Sequence, residues 1–391
     1  MLLTDGLYYV GVNDRTKHRF EGLWHLPQGV SYNSYLLVGT EAVALVDTVE
    51  IEFFFEYLSK IKAVLGERSI DYLIINHMEP DHSGSISLIR KYYPQIRLIG
   101  NKKTMEMLEG FYSEKSENDV VVSDGSTLSL GGFELSFHLT PMLHWPETMM
   151  TYELTNGVLF SGDAFGCFGA LNGHVKDDVI DAEPYWREME RYYAAILGKY
   201  GAQVQAGLKK LSSLKINMIC STHGPVWQKY LPEAVAAYDR LSSGKTERGL
   251  VICYGSMYGN TERMAEALAE GAAEAGMQKI VVHNLSVSET SFVLADVFRY
   301  DTLAIGSPTY NGGVFPVVED FLARLSERIV CNRRLGLFGG YTWSSQAVKK
   351  MVACNEKMKM QLIDKTVEWK QGASQDSLLR AKELGRLLGA E

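Results

Sequence analysis

Three apolar runs in the first 225 residues stop in the same way, at a side chain able to bind a metal. Tyr72-Leu73-Ile74-Ile75 leads into His77-Met78-Glu79-Pro80-Asp81-His82, Leu159-Phe160-Ser161-Gly162 into Asp163, and Met218-Ile219-Cys220-Ser221-Thr222 into His223. A short apolar run closed by a turn reads as a buried strand. A fourth candidate, His144, lies just past a strand centred on Phe137. Strand exits gather along one sheet edge, so this grammar constrains the chain to a sheet-based fold whose ligand-bearing loops meet.

The loop at 77–82 carries the most chemistry. Four of its six residues bind metals, and Ser83-Gly84-Ser85 follows as a turn able to start a helix. Imidazole from His77 and His82 suits zinc or iron, whereas carboxylate from Glu79 and Asp81 favours iron or manganese. A solvated polar loop is the plain alternative, and so dense a ligand set argues against it. Taken singly, His144 and His223 read as ordinary structural histidines and Asp163 as a turn residue. Their occurrence together with the 77–82 loop raises all three as candidates for a dinuclear site.

A chain of 391 residues exceeds what one core usually serves. Its texture changes near residue 245. Before that point, strands such as 35–38, 42–46, 133–139 and 149–154 alternate with helical stretches at 53–65 and 184–197. This half reads as a mixed α/β sandwich. After it runs a strict β-α-β-α rhythm, with strands at 250–254, 280–284, 302–306 and 335–339 and helices at 260–275, 315–327 and 374–388. That is the pattern of a doubly wound parallel sheet. The polar stretch 242–249 reads as a linker, which divides the chain into domains at 1–244 and 249–391.

Composition excludes several classes. A net charge of −8 argues against nucleic-acid binding. No apolar run is long enough to span a bilayer, and residues 1–5 lack a signal peptide's basic start, so a cytoplasmic location is expected. The five cysteines (Cys167, Cys220, Cys253, Cys331 and Cys354) form no C-x-x-C, which points to free thiols rather than a cluster or zinc ribbon.

The second half opens on a phosphate cradle. Strand 250–254 runs into Gly255-Ser256-Met257-Tyr258-Gly259-Asn260-Thr261, then a helix. Backbone N–H groups, the hydroxyls of Ser256 and Thr261, and the helix N-terminus all favour an anion there. The loop has no Lys or Arg and no G-x-x-x-x-G-K-[ST] pattern, so a mononucleotide fits better than ATP or GTP. Two later loops sit at the same sheet edge: Ser307-Pro308-Thr309-Tyr310-Asn311-Gly312-Gly313 and Gly339-Gly340-Tyr341-Thr342-Trp343.

These motifs resemble two known families. The first half is similar to the metallo-β-lactamase αββα fold, whose H-x-H-x-D-H signature is followed by a later His, a bridging Asp and a final His. Here Glu79 replaces the second His, a swap that marks the flavodiiron proteins. The second half resembles flavodoxin, and the three loops match its FMN-binding loops in order and spacing. The resemblance implies one iron on His77, Glu79 and His144, a second on Asp81, His82 and His223, and Asp163 as the bridge. It implies FMN on Ser256, Met257, Tyr258, Gly259, Asn260, Thr261, Pro308, Thr309, Tyr310, Asn311, Gly312, Gly313, Gly340, Tyr341 and Trp343, with Tyr310 and Trp343 against the ring. His25 and one of the Tyr192–Tyr193 pair, taken as Tyr193, resemble positions that orient the gas or supply protons. The expected activity is reduction of O₂ to water, of NO to N₂O, or both. The expected donor is a separate rubredoxin, or a reduced deazaflavin in a methanogen. The expected assembly is a head-to-tail homodimer or dimer of dimers. Two rival readings are a zinc hydrolase with a fused flavodoxin and a non-catalytic flavin electron shuttle.

Overall fold

The computed structural model describes residues 1–115, 117–328, 330 and 332–390. By its internal packing the chain forms two units: Met1–Tyr192 with Ala202–Asp239, and Tyr193–Gly201 with everything from Arg240 onward.

The first unit is built on two sheets. One runs in the order Leu2–Thr4, Leu7–Tyr9, Tyr35–Val38, Val43–Val46, Tyr72–Ile74, Arg97–Gly100, Val120–Val121. It is antiparallel as far as Val43–Val46 and parallel from there on. The other runs Thr127–Ser129, Glu134–Leu139, Met149–Glu153, Val158–Gly162, Met218–Ser221, with only the last pair parallel. Val43–Val46, Val158–Gly162 and Met218–Ser221 are buried along their whole length. Strands covered on both faces must be apolar at every position, which is why they read as runs rather than alternations. Helices flank the sheets. Phe54–Leu65 buries Phe54, Tyr57, Leu58, Ile61 and Leu65, the one-face spacing of an amphipathic helix. The Asn101 side chain caps Lys102–Tyr112 by accepting from the N–H groups of Lys103 and Thr104. This is the expected αββα sandwich.

The helix expected at 184–197 changes character partway. It is α-helical over Glu183–Tyr192 and a π-helical turn over Tyr193–Leu197. The segment after the switch packs with the second unit. Arg328 donates to the carbonyls of Ala194 and Ala195 at 2.7 Å each, and the Tyr193 ring lies 5.8 Å from that of Phe298.

The second unit is a parallel sheet in the order Ile280–Asn284, Glu247–Tyr254, Tyr300–Tyr310, Arg334–Tyr341, edged by Gln361–Leu362 and Val367–Lys370. In sequence terms this is the 2-1-3-4-5 flavodoxin order with a divided fifth strand. The first strand begins at Glu247 and the preceding helix runs to Ser242, so only residues 243–246 of the linker expected at 242–249 lie outside helix and strand. The core under this sheet joins Leu250, Ile252, Met264, Leu268, Phe338 and Leu384.

Cys167, Cys220, Cys253 and Cys354 are free thiols, the first three buried, and Cys331 lies outside the described residues. No helix among the described residues is long and apolar enough to cross a membrane.

Candidate metal centre

All seven ligand candidates follow strands. His77 to His82 follow Tyr72–Ile74, His144 follows Glu134–Leu139, Asp163 follows Val158–Gly162 and His223 follows Met218–Ser221. Glycine makes one of these exits possible. Gly224 has φ +76°, and a Cβ there would stand 2.7 Å from that of Cys167.

The exits converge into two groups, His77 with Glu79, His144 and Asp163, and Asp81 with His82 and His223. In the first, His144 Nε2 lies 3.2 Å from Glu79 Oε2 and 3.1 Å from Asp163 Oδ2, and His77 Nε2 lies 3.3 and 3.6 Å from the same two oxygens. In the second, His82 Nε2 and His223 Nε2 each lie 3.3 Å from Asp81 Oδ2, and His82 Nε2 is 3.1 Å from Asp163 Oδ1. Donors about 2.1 Å from a shared cation stand about 3.0–3.4 Å apart at octahedral to tetrahedral angles, so both groups have the size of a coordination sphere. Asp163 turns one oxygen to each group.

Burial supports the same reading. Both oxygens of Asp81 and the Nε2 atoms of His82 and His223 are buried without a hydrogen-bond partner. Orphaned buried polar atoms are rare, and a cation satisfies all four at once. The mixed N/O donor set suits iron.

Electrostatics tie the cluster together. Burial disfavours charge here, yet pairing outweighs it. Asp81 and Asp163 push His82 up to about 9. Hydrogen bonds with Asp163 and Glu79 push His144 up to about 9 as well. His77 is raised well above the ordinary imidazole range, burial being overcome by Asp163 and Glu147. In turn His144 and His77 hold Glu79 well below the carboxylate range against burial. Asp163 is also depressed despite burial, by His82 and His77.

Several further residues surround the cluster. Glu147 Oε1 lies 2.8 Å from His77 Nδ1. The buried Asp47 carboxylate accepts the N–H of Asn76 at 2.7 Å and its side-chain amide at 3.1 Å, steadying the strand exit before His77. Thr222 Oγ1 donates to Asp163 Oδ1 at 2.6 Å. The ring of Phe20 stands edge-on to His223 at 5.3 Å and that of Trp145 edge-on to His77 at 5.3 Å. Glu21 accepts from the Trp24 indole at 2.9 Å, and burial with the Glu79 charge pushes its carboxyl up to about 7. Glu147, Trp145 and Thr222 each lie within three residues of a candidate histidine, whereas Asp47, Phe20 and Glu21 reach the site from segments distant in sequence.

The two neighbouring tyrosines differ in surroundings: the Tyr193 ring packs on that of Phe298, and its hydroxyl pairs with Ser242. Tyr192 is the tyrosine at the cluster. Its ring is 5.5 Å from that of His223, and its fully buried hydroxyl has no partner. Burial first, then the charges of Asp163, Glu79 and Asp81, raise its pKa well above the phenol range. Consecutive helical residues point about 100° apart, so only one of the pair can face the cluster. His25 sits half-buried in the hairpin Arg19–Phe20 with Trp24–His25, and its carbonyl accepts from Arg191 at 2.6 Å. Among the described residues its imidazole makes no hydrogen bond or ring contact with the seven.

In the second unit a cavity of about 130 Å³ opens at the carboxyl edge of the sheet. Ser256, Met257, Tyr258, Asn260, Thr261, Pro308, Thr309, Gly340 and Tyr341 line it, with Thr342, Trp369 and Gln371, which were not expected. The Trp369 indole N–H is buried without a partner beside this cavity, as a cradle awaiting an acceptor would have it. Gly259 caps the helix Asn260–Glu274, and Asn311-Gly312 forms a tight hairpin turn with φ +48° and +71°. Gly313 pairs with Tyr310 across that turn, and Tyr310 is 40 % and Trp343 87 % exposed. Both aromatics are therefore on the rim rather than in the wall.

Residues 30–224 match the family described as ODP family beta lactamase, and residues 252–385 match flavodoxin. The chain is 33% identical to a nitric oxide reductase of Moorella thermoacetica over 99% of its own length and 98% of that protein's. It superposes on the flavodiiron protein of Giardia intestinalis with a TM-score of 0.95 at 31% identity, covering 99% of this chain and 95% of that one. It superposes equally, at 0.95 and 28% identity, on rubredoxin oxygen:oxidoreductase of Desulfovibrio gigas, covering 100% and 97%. With a lactamase-like half, a flavodoxin half and likeness along its full length to such proteins, the chain belongs to the flavodiiron family.

Proposed function

We propose that the protein is an oxidoreductase that reduces O₂ to water, NO to N₂O, or both, using a non-haem diiron site and FMN. In this reading His77, Glu79 and His144 hold one iron, Asp81, His82 and His223 the other, and Asp163 bridges them. The observation that carries it is the split of Asp163, with Oδ2 3.1 Å from His144 and Oδ1 3.1 Å from His82. When bound, the two irons and FMN together supply four electrons, which matches O₂ to two waters, whereas coupling two NO needs two.

The chain's own groups do the rest. Phe20 and Trp145 wall the ligand histidines and keep bulk water from them. Tyr192 holds a phenolic proton that no protein group accepts, at the face occupied by His223. His25 is retained as a further candidate for orienting the gas, carried by a hairpin that Arg191 pins. FMN would rest its phosphate on Ser256–Thr261 and its ring near Pro308, Thr309, Gly340 and Tyr341, with Tyr310, Asn311, Gly312, Gly313 and Trp343 at the rim.

The Desulfovibrio relative's name supports a separate rubredoxin as donor, with a reduced deazaflavin as the alternative. We place the protein in the cytoplasm, where its thiols stay reduced, as a head-to-tail homodimer or dimer of dimers. Metal and flavin analysis of the purified chain tests the proposal. Two irons and one FMN per chain are expected. Two zincs would favour a hydrolase, and flavin without metal an electron shuttle.

A further inference from the structure

The imidazoles of the cluster differ on their outer side. His77 Nδ1 faces a carboxylate, Glu147 Oε1, at 2.8 Å. His223 Nδ1 faces only a neutral carbonyl, that of Ser31, at 2.7 Å. His82 Nδ1 is buried with no partner at all. Glu147 is completely buried, and the same Oε1 accepts the N–H of Met78 at 2.9 Å. It follows His144-Trp145-Pro146 directly and receives a hydrogen bond on its own carbonyl from the Asn101 side chain. Glu147 therefore joins the loop of one ligand histidine to that of another.

A carboxylate can only accept, so His77 must carry its proton on Nδ1 and present the Nε2 lone pair to the metal position. An anionic acceptor also draws that proton away from the ring and makes Nε2 a stronger electron donor. The direct donors are otherwise matched, one glutamate or aspartate and two histidines on each side of Asp163. Among the described residues Glu147 is the one carboxylate bonded to the outer nitrogen of a candidate ligand histidine, and that sets the His77 side apart.

We propose that Glu147 is a positioning residue that fixes the His77 tautomer and makes the His77–Glu79–His144 position the more electron-rich, tighter-binding and harder to reduce of the two. This rests on the diiron reading above. With iron bound, the Asp81–His82–His223 position would be the easier of the two to reduce, while the His77 proton would stay between Nδ1 and Glu147.

The test is anaerobic Fe(II) titration and redox titration, followed by Mössbauer spectroscopy, of the full chain with and without Glu147→Gln. Glutamine keeps an acceptor oxygen and removes the charge. We expect affinity to fall about 10–100-fold at one position with the other unchanged. The gap between the two one-electron midpoints should narrow by about tenfold in equilibrium constant, or 59 mV. Glu147→Asp should recover part of both. Affinities and midpoints within twofold of the parent overturn the inference, and so does an equal loss at both positions or a chain that no longer folds. If the parent chain itself fails to bind two irons, the diiron reading falls instead.

Discussion

The seven candidate ligands store their charges as pairs, and that has a measurable consequence. In the metal-free protein His77, His82 and His144 all have raised pKa values, about 9 for the latter two. At pH 7 they are protonated, and a metal can bind only by displacing those protons. Loading Fe(II) at pH 7 should therefore release protons, and fewer of them as pH rises through about 9, where His82 and His144 lose theirs. Calorimetry in two buffers of different ionisation enthalpy measures this, and heats independent of buffer would contradict it. The sign for stability follows from the same shifts. Raised histidine pKa values stabilise the metal-free fold fully below the unfolded value of about 6.5, and that contribution disappears as pH rises through about 9.

Tyr192 and Tyr193 give a sharper contrast at the same scale. Tyr192→Phe removes a buried hydroxyl that has no partner, so it should cost no thermal stability. It should also leave iron and FMN content unchanged while slowing gas turnover on the order of 10²-fold, the usual weight of a lost proton donor. Tyr193→Phe should leave turnover at the parent rate. Equal rates for both variants would remove Tyr192 from the reaction. The seven candidate ligands were legible in the sequence because one loop after a strand carries four of them and the other three each follow a strand. Tyr192 was not separable from Tyr193, because the choice depends on where an α-helix becomes a π-turn. Asp47 and Phe20 were invisible for a related reason, since they reach the site from strands and hairpins far away in sequence.

Elements were legible where burial is uniform. The parallel strands of the second unit read directly as apolar runs, and their observed ends differ from expectation by a few residues. The divided edge strand was not legible, because pieces of two and four residues, Gln361–Leu362 and Val367–Lys370, are too short to show a period. Packing between Asn260–Glu274 and Gln375–Gly389 also has no signature beyond isolated glycines. A Cβ on Gly271 would stand 1.9 Å from the Lys382 carbonyl oxygen, and one on Gly385 2.0 Å from that of Leu268. Backbone cannot yield as a flexible side chain does, so Gly271→Ala or Gly385→Ala should destabilise the unit by about 1–3 kcal/mol. Urea unfolding followed by flavin release tests this, and an unchanged midpoint would mean that the two helices are not so close.

For the whole molecule, the pairing of a lactamase-like half with a flavodoxin half explains why Glu79 stands where a zinc hydrolase places histidine. A carboxylate there favours an iron that must be oxidised and reduced repeatedly, and FMN is the group that returns the electrons. The domain boundary was less legible. Residues 193–201 lie well before the polar stretch at 242–249 yet pack with the second unit, and no compositional change marks them. The most direct test of the account is gas uptake by the iron- and FMN-loaded chain, fully reduced in the absence of air and then given a measured pulse of O₂ or NO. One O₂ consumed per four electrons without free peroxide, or one N₂O formed per two NO, or both, is expected. A reduced chain holding two irons that consumes neither gas faster than the buffer blank would contradict it.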